Sequence, residues 1–140
     1  MNIKEKVARK LKIMQGYVDF LRKYPADEDE LLEDDLLKSA IERNLQLAIE
    51  SALDIGEVII SSENLEKPED YLNIIITLGK EGIIPEEFAQ RFSEAAKLRN
   101  ILVHMYTKVD PAVISQILKY NLDDFDEYGW HIARFLDKAD

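Results

Sequence analysis

Arg99, Asn100, His104 and Tyr106 fall within the eight residues Arg99-Asn100-Ile101-Leu102-Val103-His104-Met105-Tyr106, whose other members are all apolar. His104 is one of only two histidines in the chain, and imidazole is the side chain that gains and loses a proton near neutrality. Arg99 stays protonated and presents a planar fork of donors matched to phosphate oxygens. A proton carrier and a fixed cation five positions apart suit work on a phosphodiester. A ribose carries its own nucleophile, the 2′-hydroxyl. Its phosphodiester needs a base for that proton, a donor for charge gathering on phosphorus, and an acid for the leaving 5′-oxygen. His104 is the candidate base or acid, Arg99 the phosphate donor, and Asn100 a group that orients His104 or holds substrate. One histidine without clustered carboxylates makes a poor metal site, so neither metal nor cofactor is expected.

Composition bounds the scaffold. The chain has 140 residues, 46% of them apolar, and no cysteine. That fits one globular domain over residues 1–140 in a reducing cytoplasm, and it rules out a thiolate metal site or a cysteine nucleophile. The N-terminal Met1-Asn2-Ile3-Lys4-Glu5-Lys6 is charged at once and does not read as a signal peptide. No apolar run nears the roughly 20 residues of a membrane span. The net charge of −10 argues against a broad nucleic-acid platform, though a small basic cleft remains compatible with it. The charge is uneven: residues 1–24 hold seven basic and two acidic side chains, while residues 27–35 hold seven acids in nine positions. The acidic run reads as a solvated loop or helix start.

Apolar periodicity then supplies the elements that must hold the motif. Ile3, Val7, Leu11, Met14, Val18 and Leu21 predict a helix over 2–24, stopped by Tyr24-Pro25. Residues 34–62 predict a long helix that is apolar around most of its circumference, which places it centrally. Gly56 within it implies close approach of another helix. A short helix opened by Pro68 across 70–78, one from Pro85 to about Tyr106, one from Asp110-Pro111 to about 120 and a helical tail to Lys138 follow. Leu72 to Leu78 is rich in β-branched residues, but there is no second strand for it to pair with. The expected architecture is all-α, an antiparallel bundle of four to five helices.

On a regular helix, Phe88, Phe92, Ala95, Arg99, Leu102 and Tyr106 share the buried face, and Gln90, Ser93, Lys97, Asn100 and His104 form a polar stripe. Arg99 and His104 then lie about 140° apart. A bend at the helix end, or a second copy of the helix across a twofold axis, would bring them together. Arg99 on a buried face also calls for a carboxylate, with Asp54 or Glu50 of the central helix as candidates; Arg43 on that helix is a further possible support. Tyr106, by its place on that buried face, reads as a core aromatic. His131, next to Trp130, reads as a packing residue.

The run Arg99 to Tyr106 resembles the R-x4–6-H signature of the HEPN superfamily, and its extension to R-x4-H-x-Y resembles the HepT-like toxin branch. The long helix with Glu42 to Glu50 and Asp54-Ile55 is similar to the same branch, and Asn100 matches the polar position after the arginine. The resemblance implies an all-α homodimer acting as a metal-independent endoribonuclease, the toxin of a toxin–antitoxin pair. It implies an RNA substrate and, as antitoxin, a small nucleotidyltransferase that attaches AMP to Tyr106. The competing readings are a non-catalytic helical module that binds nucleotides or a partner protein, and a structural adaptor.

Overall fold

The computed structural model describes residues 2–104 and 109–138. Among them are seven helices and no strand: α1 Ile3–Lys23, α2 Glu28–Glu33, α3 Asp35–Ser62, α4 Tyr71–Lys80, α5 Glu86–Val103, α6 Pro111–Tyr120 and α7 Asp123–Lys138. The all-α bundle read from periodicity is present, with seven helices rather than four to five, because α2 forms within the acidic run and α6 and α7 are separate helices. Several starts are closed by short polar side chains. The carboxamide of Asn2 accepts from the Glu5 N–H, Asp34 from Leu37, Asp70 from Asn73 and Asp110 from Ala112. Pro85 stands one place earlier than expected, at the N-cap of α5, and Glu86 and Glu87 fill the first turn.

Of the two readings of the acidic run, a solvated loop or a helix start, the helix start is the one that forms. Asp27 accepts from the Glu30 N–H, and the Glu30 carboxylate accepts from the Asp27 N–H, a reciprocal cap that starts α2. Leu31 anchors this six-residue helix in the core, fully buried.

The centre of the bundle is α3. Ile41, Leu45, Ala48, Ile49, Ala52, Leu53, Ile55, Ile59 and Ile60 are all buried on it, because α1, α2, α4 and α5 pack around it. Two glycines set the closest approaches. A methyl group on Gly56 would lie 2.6 Å from Ile74 Cγ2 of α4, and one on Gly79 would lie 2.5 Å from Ala89 Cβ of α5. The approach that Gly56 implied in the sequence is therefore that of α4. The last helix closes the core with Phe125 and Tyr128, whose rings lie 5.5 and 4.8 Å from that of Phe92. His131 packs against Phe88 at 5.1 Å with its ring nitrogen 3.0 Å from Glu127.

Tyr128 is fully buried and donates its hydroxyl to the carbonyl of Ala52 at 2.7 Å. Burial pushes this phenol well above its ordinary value. The unfolded chain releases the same proton near pH 10. The associated stability is therefore complete below about pH 10 and falls as the pH rises further, since only the unfolded state sheds the proton there. Thermal melts from about pH 9 to about pH 11 should show a steeper loss in wild type than in Tyr128→Phe. Parallel curves would contradict this. At neutral pH the same substitution should be destabilising by about 1 kcal/mol.

Candidate active site

The motif helix α5 lies beside α3 and α4, and its half-buried Arg99 faces both. Arg99 Nε donates to Glu50 Oε1 at 3.2 Å. Its Nη1 donates to Asn100 Oδ1, also at 3.2 Å. The guanidinium carbon lies 4.4 Å from the centre of the Tyr71 ring, in cation–π contact. Of the two carboxylates proposed for Arg99, Glu50 is the one engaged. Asp54, one turn along α3, is taken by Lys10 of α1 at 2.5 Å. That corrects the expectation that Asp54 fixes the arginine fork: α1 runs along α3 on the Asp54 side and delivers an ammonium there first.

A depression of about 290 Å³ surrounds this arginine, lined by Glu50, Leu53, Asp54, Glu57, Tyr71 and Arg99. Through Asp54 and Glu57 it adjoins a larger one of about 760 Å³, which also has Lys6 and Lys67 in its wall. Arg43 is exposed two turns before Glu50 on α3, and among the described residues it makes no contact with Arg99. Asn100 is exposed and turns its carbonyl oxygen to Arg99 rather than toward His104.

The helix ends earlier than its periodicity predicts. Residue 103 is the last helical position, and His104 is the C-cap, with φ −82°, ψ 105° and its N–H donating to the Ile101 carbonyl at 3.3 Å. His104 is thus the cap of α5 rather than a residue inside it. Asp110 and Pro111 open the next helix, α6. His104 is exposed and is absent from the lining of the Arg99 depression. Tyr106 lies outside the described residues.

Two contributors escaped the sequence. Tyr71 and Gln46 carry no spacing signal toward Arg99, from which they are far apart in the chain. Gln46 Nε2 donates to Glu50 Oε1 at 3.1 Å, so the carboxylate that meets Arg99 is itself held from one turn away. A half-exposed aromatic directly after the Asp70 cap was the only hint of Tyr71. Among the described residues no cluster of three or more histidine, cysteine or acidic side chains is placed to hold a metal ion. None of the helices described is long and apolar enough to cross a membrane.

A family model described as ribonuclease HepT-like matches residues 14–131. The tRNA nuclease HepT of Aphanizomenon flos-aquae is 30% identical over 135 residues, covering 93% of this chain and 89% of that protein. The mRNA nuclease HepT of Shewanella oneidensis is 20% identical over 122 residues, 87% of this chain and 92% of that one. Among solved structures, the tri-AMPylated Shewanella oneidensis HEPN toxin in complex with MNT antitoxin covers 100% of both chains with a TM-score of 0.84 at 21% identity. YutE of Bacillus subtilis, described as a cytosolic protein of unknown function, covers 96% of this chain and 91% of its own at a TM-score of 0.82 and 19% identity. At such identities the two structures speak for the fold.

Proposed function

This chain belongs to the ribonuclease HepT-like family, and on that premise we propose that it is a metal-independent endoribonuclease toxin acting through Arg99 and His104. The observation that carries the reading is the placement of Arg99: a permanent cation held in a half-buried depression by Glu50, Asn100 and Tyr71, five residues before His104. In this reading the RNA 2′-oxygen attacks phosphorus while an imidazole takes its proton. The bond to the 5′-oxygen breaks, and a proton goes to that oxygen. Arg99 meets the phosphorane, where negative charge is greatest. Asn100, turned to Arg99, helps to aim the guanidinium. The products are a 2′,3′-cyclic phosphate and a 5′-hydroxyl.

A homodimer would set two copies of the motif along one cleft. It would supply the second histidine that separate base and acid roles call for. Arg43, on the exposed side of α3, would then be free to face RNA outside the cleft, and an RNA substrate places the protein in the cytoplasm. The cognate antitoxin in this reading is a small nucleotidyltransferase that transfers AMP to Tyr106. The added phosphate, two residues from His104, would compete for Arg99 and block substrate.

Two measurements test this. Purified protein should cleave an end-labelled transcript in excess EDTA, leave a DNA oligonucleotide of the same sequence intact, and yield cyclic-phosphate ends. A requirement for magnesium, or equal cleavage of the DNA, refutes the mechanism. After co-expression with the partner nucleotidyltransferase, intact-mass and peptide spectra should place at least one adenylyl group on Tyr106. Full neutralisation with Tyr106 unmodified refutes the switch.

A further inference from the structure

We propose that Glu50 and Tyr71 are positioning residues for Arg99, and that together they decide which edge of the guanidinium meets the scissile phosphate; this rests on the reading that Arg99 serves RNA cleavage. Three helices distant in sequence converge here. Glu50 comes from the middle of α3, Tyr71 is the first residue of α4, and Arg99 lies in the last turns of α5. Each neighbour blocks a different approach. Glu50 Oε1 occupies the Nε side at 3.2 Å. The Tyr71 ring covers one face at 4.4 Å. Asn100 takes one donor of Nη1. Arginine has five N–H donors in a rigid fork, and the direction these contacts leave is its outer edge, between the two terminal nitrogens. That edge can grip two phosphate oxygens at once.

The supports are themselves fixed. Gln46 holds the same Glu50 oxygen that Arg99 uses. Tyr71 is set by the Asp70 cap behind it and by Ile74 and Ile75, which bury α4 in the core. A free arginine side chain samples many rotamers and must surrender them when it binds. Here the surrender is made on folding, so the guanidinium is ready when charge develops on phosphorus. The Glu50 side chain is 34% exposed, so water screens part of its negative charge. The outer edge of Arg99 therefore keeps its attraction for an anion.

The test is multiple-turnover cleavage of an end-labelled transcript by the full chain. Tyr71→Leu and Glu50→Ala should each lower kcat about tenfold with KM changed by less than about twofold. Tyr71→Phe keeps the ring and Glu50→Gln keeps an acceptor, and each should recover most of the lost kcat. A purely structural ion pair would lower the folded fraction and the melting temperature together, without this split or this rescue. The Arg99 Nε–H signal in nitrogen-15 spectra reports on position without any turnover: it should be dispersed in wild type and Tyr71→Phe, and collapse toward free arginine in Glu50→Ala. If Tyr71→Leu does not fold, the Glu50 pair and this signal decide. Undiminished kcat in Tyr71→Leu and Glu50→Ala, with Arg99→Ala inactive, overturns the positioning roles alone. Undiminished cleavage by Arg99→Ala overturns the underlying reading instead.

Discussion

Replacing Arg99 with alanine should lower RNA cleavage about a thousandfold, and replacing His104 should lower it by at least about a hundredfold. The order follows from the part each group takes in the proposed cleavage. The guanidinium opposes charge that exists in full only at the phosphorane, so its loss falls directly on the barrier. The imidazole moves a proton that water can move more slowly. Arg99→Lys should recover little, because an ammonium keeps the charge but lacks the planar fork that Glu50 and Tyr71 hold in place. Both alanine variants should melt near the wild-type temperature, since His104 is exposed and Arg99 half-buried. Single-turnover cleavage of a labelled transcript measures the rates, and growth after induction in a bacterial host measures the consequence. Folded variants that cleave and inhibit growth as wild type does would leave the motif without a catalytic part and favour a binding module.

The largest effect on stability is expected at Gly79. An alanine there would put its methyl carbon 2.5 Å from Ala89 Cβ and 3.4 Å from Glu86 Cα. Neither atom can move aside without its backbone, so α4 and α5 must part. Overpacking of this kind outweighs the gain in helix propensity and leaves a net loss of about 2 kcal/mol. Gly56→Ala meets Ile74 Cγ2 and Leu78 Cδ1, side-chain atoms with some room to shift, and should be milder. Denaturant melts of the two variants measure the difference. Ala89→Gly in the Gly79→Ala background should restore part of the loss, a coupling that only direct contact produces. A Gly79→Ala protein as stable as wild type would mean that the helices stand further apart than described. The site should feel the change too, because α4 carries Tyr71 and α5 carries Arg99. Cleavage should fall even under conditions where the variant remains folded.

Much of the fold was legible residue by residue. The start of α6 follows from Asp110-Pro111 and the stop of α1 from Tyr24-Pro25, whereas α4 starts from the Asp70 cap rather than from Pro68. Even α2 had its signature in Asp27-x-x-Glu30, hidden by the charge around it. The end of α5 was not legible. Apolar spacing continues to Tyr106, and nothing local stops the helix at Val103. His104 leaves helical geometry with ψ 105°, and Asp110-Pro111 opens a new helix, α6, a break that the apolar spacing does not record.

The sequence alone determined the helical class, the central place of α3 and the family, and it put forward Arg99 and His104 as the pair to test, because caps and periodicity act over one to four residues and a motif is a string. Only the tertiary structure decided that Arg99 rests on Glu50 rather than Asp54, that Lys10 takes Asp54, and that Tyr71 covers the guanidinium. Those choices depend on the offset and rotation of α1, α4 and α5 around α3. The close contacts at Gly56 and Gly79 help to set them, between residues too far apart in the chain for any local pattern to record.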